Sequence, residues 1–370
     1  MEYMKLGDIV NIRTGKLNAN VADEKGSYPF FTCSKKISSI SSYSYDTEAV
    51  LVAGNGDLNV KYYKGKFDAY QRTYIITDNS SNQLYMPFLY FYMSAYVAQL
   101  RNQAIGGVIK YIKLQNLTEA EIRLPSIEQQ KEIVKFLQII QGVINDKKNE
   151  MSKLDELIKA RFVEMFGNYP NNEKSWPVGK IKDLVLDVRY GTSKKATDGT
   201  SGKYPYLRMN NITYDGNLNL SDLKTIDLPL EDLEKYTVQK GDLLFNRTNS
   251  RDLVGKTCVY DLDKTMVLAG FIIRVRLDTT VANPVFVSKF LNTGYSKLLL
   301  RTICKNASGQ SNINAKEMQN IKIYVPPISL QNEFANFVQQ VDKSKFENIV
   351  YLNKTLSMKI LGQLGDVFRD

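Results

Sequence analysis

One long stretch of this chain occurs twice. From residue 105 it reads IGGVIKYIKLQNLTEAEIRLPSIEQQKEIVKFLQ, and from residue 306 NASGQSNINAKEMQNIKIYVPPISLQNEFANFVQ. Ile112 matches Ile313, Ile122 matches Ile323, Leu124 matches Val325, and Pro125 matches Pro326. Ile127 then matches Ile328, Gln130 matches Gln331 and Phe136 matches Phe337, every pair 201 positions apart (313 − 112, 337 − 136). A constant offset between residues of like chemistry means two copies of one structural unit. The match continues upstream with gaps. Asp8-Ile9-Val10 pairs with Asp183-Leu184-Val185, Gly15 with Gly191, Tyr28-Pro29 with Tyr204-Pro205 and Pro87 with Pro284, at offsets of 175, 176, 176 and 197. The second copy therefore carries insertions, mostly between its Tyr-Pro pair and Asn283-Pro284. The ends of the copies agree and their middles diverge, as expected of one frame carrying two different reading surfaces.

Each copy closes on a helical pattern. Ser126 and Gln129 form an S-x-x-Q capping box. Ile133, Leu137, Ile140, Ile144, Met151, Leu154 and Ile158 follow at 3/4 spacing, with Lys147 the polar entry in the seam. Such a stripe asks for a partner helix. The second copy supplies a less regular one: Phe334, Val338, Val341, Leu352, Leu356 and Ile360. The economical solution packs the two rods, 128–166 and 330–368, on each other; the alternative is a helix of another protein. Ahead of the first rod, residues 6–12 read as a short helix or strand. Residues 28–32, with a proline expected at a sheet edge, 49–53, 60–63 and 73–77 read as strands. Residues 86–99 read as a helix whose aromatic side chains pack a core. In the second copy 204–210, 242–245 and 269–275 are the expected strands.

With 370 residues the chain is long enough for two domains. No apolar run reaches the ~20 residues of a membrane span, and MEYMKLGDIV has no signal-peptide core. Cys33, Cys258 and Cys304 are widely spaced, so neither a disulfide framework nor a zinc site is expected, and a reducing cytoplasm fits. The net charge is +10 with no histidine, a surplus that suits a polyanionic partner, most often nucleic acid.

The sequence offers no catalytic constellation. Histidine, the commonest general base, is absent. Gly255-Lys256-Thr257 resembles the end of a phosphate-binding loop, but Ser250 stands where that loop needs glycine. Asn283-Pro284-Val285-Phe286 lacks the second proline of the amino-methyltransferase loop, and no proline is followed by aspartate as nuclease motifs require. Neither a cofactor nor a metal site is expected. Base-reading chemistry remains: arginine to guanine, asparagine or glutamine to adenine. The loops that carry it hold Arg13, Lys16 and Asn18; Asn55, Asn59 and Lys61; Gln71 and Arg72. In the second copy they hold Arg208, Asn210 and Asn211, then Arg247, Asn249 and Arg251.

The order and duplication of several segments resemble the specificity subunit of Type I restriction-modification systems. The carriers are LPSIEQQKEIV (124–134) and its echo VPPISLQNEFA (325–335), with ASGQSNINAKEMQNIKI (307–323), GDLLFNRTNSRDLVGKT (241–257) and SWPVGKIKDLV (175–185). The resemblance implies an α+β chain with two tandem target recognition domains, 1–125 and 168–326. Each is followed by a long helix, 126–167 and 327–370, and the helices pack as an antiparallel coiled coil with pseudo-twofold symmetry. It implies a subunit without catalytic activity of its own that reads a split target on double-stranded DNA. Two methyltransferase subunits, which methylate adenine, and restriction/translocase subunits, which cleave, would be its partners. Two features depart from the family pattern. Ala104-Ile105-Gly106-Gly107-Val108 replaces the ASGxS-type loop in the first copy, and Pro125-Ser126 stands where the second copy has Pro326-Pro327. Two other readings stay open: a DNA reader serving another methyltransferase or phage-defence system, and a scaffold that binds proteins or glycans. Salt-sensitive duplex binding separates the last from the others.

Overall fold

The structure, a computed structural model, describes residues 3–197, 202–307 and 309–352. The chain divides into two compact units. One is Met1–Asn149 joined by the described residues from Asn348 on, and the other is Glu150–Glu347.

The first unit is built on a six-stranded sheet in the order Val10–Thr14, Thr73–Asp78, Tyr45–Ala53, Val60–Ala69, Tyr28–Phe31, Ser38–Ile40. Its central strand is apolar on both faces because both are covered. Side chains alternate across a strand, so Val50 and Val52 enter one core while Ala49 and Leu51 enter another with Phe31, Phe67 and Ile75. The first of these cores lies under the helix Met86–Gln103, which buries Phe88, Leu89, Tyr92, Met93 and Leu100. Ile112, Ile122 and Val134 complete it, so the start of the first rod is part of this domain's core. Residues 6–12 are both things expected of them, a helical turn at Leu6–Ile9 and then a strand. Pro29 is not on an edge strand: Tyr28–Phe31 lies between two neighbours. Pairing with Val60–Ala69 begins only at Phe30, one residue past the proline, so its missing N–H interrupts nothing on that side.

In the second unit the same plan is broken by the insertion. The strand that is continuous as Val60–Ala69 is here two pieces, Thr257–Val259 and Met266–Leu268. The first piece closes a sheet in the order Val185–Tyr190, Ile272–Leu277, Leu243–Asn246, Thr257–Val259. The second pairs parallel with Tyr204–Leu207 in another four-stranded sheet, just as Val60–Ala69 pairs parallel with Tyr28–Phe31. Arg274, 2% exposed, stands on the Ile272–Leu277 strand and ties the first of these sheets to the second. It donates to Asp187 Oδ2 at 2.7 Å and to the Thr237 carbonyl at 2.6 Å. Burial alone would raise the Asp187 pKa, but its hydrogen bond to Arg274 and the charges of Arg189 and Arg274 outweigh burial and hold it below the usual carboxylate range. A depressed folded-state pKa contributes stability that is present above the unfolded value, near 4, and lost as pH falls through the folded one. Thermal melts of Asp187→Asn and the parent chain are therefore expected to differ at neutral pH, to begin approaching each other near pH 4, and to converge only below the depressed folded-state pKa, where the aspartate is protonated in both states. A constant difference down to lower pH would show that the carboxylate charge contributes nothing there.

The first rod is the 40-residue helix Ile127–Phe166, about 60 Å long at ~1.5 Å per residue. Its capping box forms as expected: the Gln129 N–H donates to Ser126 Oγ at 3.3 Å, and the Ser126 N–H to Gln129 Oε1 at 3.2 Å. It stops at Gly167, whose φ of +79° favours glycine and whose N–H reaches the Val163 carbonyl at 2.7 Å. The second helix is described over Ile328–Val350. Leu356, Ile360 and the rest of the expected 330–368 rod lie outside the described residues. Within the second unit the two helices run antiparallel. Asp155 meets Lys345 at 2.6 Å and Arg161 meets Glu333 at 3.0 Å, numbers rising on one helix as they fall on the other. The Phe162 and Phe166 rings each lie 5.4 Å from Phe334. Leu137, Ile140 and Ile158 of the predicted stripe are buried; Ile133, Ile144, Met151 and Leu154 are half-buried.

Candidate nucleic-acid interface

In each unit a glycine lets the loops that carry candidate readers approach closely. A Cβ on Gly15 would lie 2.1 Å from the Ala69 carbonyl oxygen, and one on Gly191 would lie 2.3 Å from that of Ala269, so only glycine allows either approach. The Gly15 N–H bonds the Thr73 carbonyl and the Gly191 N–H the Ile272 carbonyl, both at 3.1 Å. In the first unit the backbone then closes a rim. The Gln71 N–H donates to the Leu17 carbonyl at 2.8 Å, Gly54 to Arg72 at 2.8 Å, Gly56 to Lys110 at 2.9 Å and Ile112 to Gly54 at 2.9 Å. Asn18, Asn55, Gln71 and Arg72 lie at or next to these bonded positions, while Arg13 and Lys16 stand either side of Gly15 along the chain. Thr14, Gly54, Gln71, Arg72, Tyr74 and Ile112 line a shallow cavity of about 300 Å³ there. The Arg13 guanidinium sits 4.8 Å over the Tyr45 ring, which fixes its direction. Gln71 Nε2 donates to Asn18 Oδ1 at 3.1 Å, and the Arg72 side chain is exposed.

Asn59 and Lys61 are placed differently. The Asn59 amide donates to the Cys33 and Asp57 carbonyls, each at 2.8 Å, and its oxygen takes a hydrogen bond from Lys61. The Lys61 ammonium also reaches the Thr32 carbonyl, and burial pulls its pKa down. Both tie the 32–33 loop to the sheet.

The second unit repeats the backbone plan with other side chains. The Arg247 N–H donates to the Phe271 carbonyl and the Ile313 N–H to the Arg247 carbonyl, both at 2.9 Å, which is the bonding of Gly54 with Arg72 and Ile112. Arg247 therefore stands where the first copy has Gly54, and Phe271 where it has Arg72. A Cβ on Gly54 would lie 2.4 Å from the Arg72 carbonyl oxygen, so the first copy must bring its cation from the opposite turn. The Arg247 guanidinium lies 4.8 Å over Tyr190 and donates to Asn312 Oδ1 at 3.2 Å and the Gly270 carbonyl at 3.4 Å. Asn312 is held in turn by Thr248 Oγ1 at 2.7 Å. Asn249 Nδ2 donates to Asn246, and Asn249 Oδ1 accepts from the Ser250 N–H, shaping the turn. Arg251 is exposed on that turn; its Nε reaches the Arg301 carbonyl at 3.4 Å. Arg208 is neutralised by Asp222 at 2.8 Å and Asn210 is exposed. Asn211 is 1% exposed: its amide donates to the Asn219 and Asp222 carbonyls and accepts from the Arg208 N–H. These bonds leave it a loop former rather than a surface group. Sequence reasoning missed the aromatic seats Tyr45 and Tyr190, the partner Asn312 and the exposed Phe271. Tyr190 directly precedes Gly191, and Asn312 precedes the repeat residue Ile313, so both lay beside signals already in view.

A further cavity lies elsewhere in the second unit. About 580 Å³ in volume, it is lined by residues that include Phe162, Tyr169, Tyr214, Lys289 and Lys297, and by none of the candidate readers. Burial brings the Lys297 pKa down to about 8. Among the described residues no cluster of His, Cys, Asp and Glu could hold a metal, and no helix is long and apolar enough to cross a membrane.

The comparisons agree with this duplicated frame. The family model described as the Type I restriction modification DNA specificity domain matches residues 1–154 and again 173–357. The specificity subunit of the Type I restriction enzyme EcoDI of Escherichia coli is 25% identical over 368 residues, covering 91% of this chain and 80% of that one. The MjaVIII specificity subunit of Methanocaldococcus jannaschii is 21% identical over 373 residues, covering 92% and 86%. In fold, the chain is similar to the crystal structure of the Type I restriction-modification S subunit from M. genitalium, with a TM-score of 0.55 and 15% identity over 100% of this chain and 96% of that one. This chain belongs to the Type I restriction-modification DNA specificity family, with two copies of the family domain in tandem.

Proposed function

We propose that this chain is the non-catalytic, DNA-reading subunit of a Type I restriction-modification complex. In this reading the regions 1–125 and 168–326 each read one half of a bipartite duplex target, and the helices after them carry two methyltransferase subunits and the restriction/translocase subunits. The observation that carries the proposal is the pair of rims with one backbone plan and exchanged side chains: Gly54 and Arg72 in the first, Arg247 and Phe271 in the second. A conserved frame with a changed edge is what reading two unrelated half-sites requires. The readers we assign are Arg13, Lys16, Asn18, Asn55, Gln71 and Arg72 in the first copy, and Arg247 with Asn249, Arg251, Arg208 and Asn210 in the second.

The test uses the complex with its methyltransferase partner. Sequencing of methylated adenine in a host carrying both defines the bipartite motif, and duplexes with and without it are then titrated at several salt concentrations. Arg72→Ala and Arg247→Ala are each expected to weaken motif binding by about 1–3 kcal/mol, roughly 5- to 150-fold, while binding to unrelated duplex changes little. A uniform loss on all duplexes, with a salt slope smaller by about one, would assign them to phosphate instead. If the parent complex shows no salt-sensitive duplex binding, the DNA-reading proposal is wrong.

A further inference from the structure

The first copy's departure at 104–108 has a structural counterpart. Ile105 and Tyr111 exchange two backbone hydrogen bonds, at 3.0 and 2.9 Å, and close a short hairpin. Gly106, at φ +114°, turns the chain back. The tip is apolar and stands in solvent: Val108 is fully exposed at 104%, Ile109 is 63% exposed, and Ile105 stands beside them. The base of the hairpin is fixed. The Lys110 carbonyl takes the Gly56 N–H at 2.9 Å, the Ile112 N–H bonds the Gly54 carbonyl at 2.9 Å, and the Tyr74 hydroxyl donates to the Ile112 carbonyl at 3.2 Å. Gly54 and Tyr74 also line the cavity of the reading rim with Arg72, so the hairpin is rooted in that rim. In the second copy the equivalent strands, Lys305–Ala307 and Gln310–Asn312, pair antiparallel, and the sequence has no large apolar residue between Lys305 and Asn312.

We propose that the 105–111 hairpin is an apolar wedge that enters a groove of duplex DNA and presses Val108 and Ile109 against a partly unstacked base step in the half-site read by the first copy. This rests on the DNA-reading role proposed above. Aliphatic side chains held in water are a standing cost, and a base anchored by two backbone bonds and the Tyr74 hydroxyl keeps the tip from folding back over its own apolar neighbours. Small aliphatic wedges that unstack a step are an established way of gripping DNA. The surroundings favour DNA over a protein partner. The apolar tip is small and carries Lys110 beside Ile109, and its root borders the cavity that the exposed Arg72 lines. A docking patch for a protein is usually a broader apolar area.

The test uses the full complex with its methyltransferase partner and a duplex carrying the mapped motif, with 2-aminopurine placed singly through both halves. Binding of the parent complex is expected to raise the fluorescence several-fold at one step of one half. The double variant Val108→Ser, Ile109→Ser is expected to lose that rise while keeping its melting temperature and salt slope, because both side chains are exposed and uncharged. Val108→Leu is expected to keep it. Tight motif binding by the parent with no rise at any step, or with the same rise in the double variant, overturns the wedge and leaves base reading intact. So does a double variant that reads DNA normally but no longer holds the methyltransferase subunit, which would make the tip a protein contact. Absence of motif binding by the parent is a different result, and overturns the base-reading role on which the wedge rests.

Discussion

Replacing Gln331 by leucine is expected to destabilise the second copy by about 3–6 kcal/mol. The side chain is fully buried. Its Oε1 accepts from the Asn283 N–H at 2.8 Å, and its Nε2 donates to the carbonyls of Pro326 at 2.7 Å and Val281 at 3.1 Å. Leucine fills nearly the same volume, so little of the loss comes from a cavity. It comes from three backbone groups left without partners at about 1–3 kcal/mol each, the total falling below the upper sum because part-buried groups can recruit water. Gln130 does the same work in the first copy. It accepts from the Tyr85 N–H at 2.8 Å and donates to the carbonyls of Pro125 at 2.8 Å and Gln83 at 2.7 Å. Gln130→Leu should therefore destabilise the first copy by a similar amount. Urea titration gives the size of each loss, and amide exchange gives its place: Gln331→Leu should expose the Asn283 amide and leave that of Tyr85 protected, and Gln130→Leu the reverse. A loss below about 1 kcal/mol would mean that water replaces the side chain without penalty.

The 201-residue offset made these two glutamines visible as a pair, because both belong to a segment with no insertion in either copy relative to the other. The capping box, the Ala49–Ala53 core and the rod after Ser126 were legible for the same reason: each is set by local spacing. The aromatic contacts of Phe162 and Phe166 with Phe334 and Phe286 were not, since a heptad stripe says that a partner exists and not which rings meet. The division of one sheet into two also escaped, because an insertion shows its position but not which strand it cuts. Loop amides were the least legible. Asn59 and Asn211 satisfy backbone groups while Asn18 and Asn55 stand on the candidate rim, yet all four sit in polar loops that read alike. The match of Gly54 to Arg247 was hidden by its own offset of 193 (247 − 54), which agrees with neither the 176 upstream nor the 201 downstream. Backbone hydrogen bonds revealed it.

Exchange of residues 168–326 for the corresponding stretch of another family member is expected to change one half of the methylated motif completely and leave the other half as it was. The junctions are chosen where the chain is already punctuated. Gly167 ends the first rod in a left-handed conformation, and Pro326 precedes the second helix with its carbonyl held by Gln331. The hydrogen bonds of the Gln331 amide all go to backbone groups: the Asn283 N–H and the carbonyls of Val281 and Pro326. Any incoming domain that presents an N–H and a carbonyl at those places satisfies it, whatever its side chains. The incoming rim would replace Arg247, Phe271 and Asn312 together, so its readout would change as a unit. Gly54 and Arg72 would stay in the first copy with their bonds intact. The helical segments after each domain are untouched, so methylation itself should persist. Methyladenine sequencing of a host carrying the exchanged chain reads both halves at once. If a folded, active exchange altered both halves, the two copies would not read independently, and the shared backbone plan would have to serve some purpose other than holding two separate reading edges.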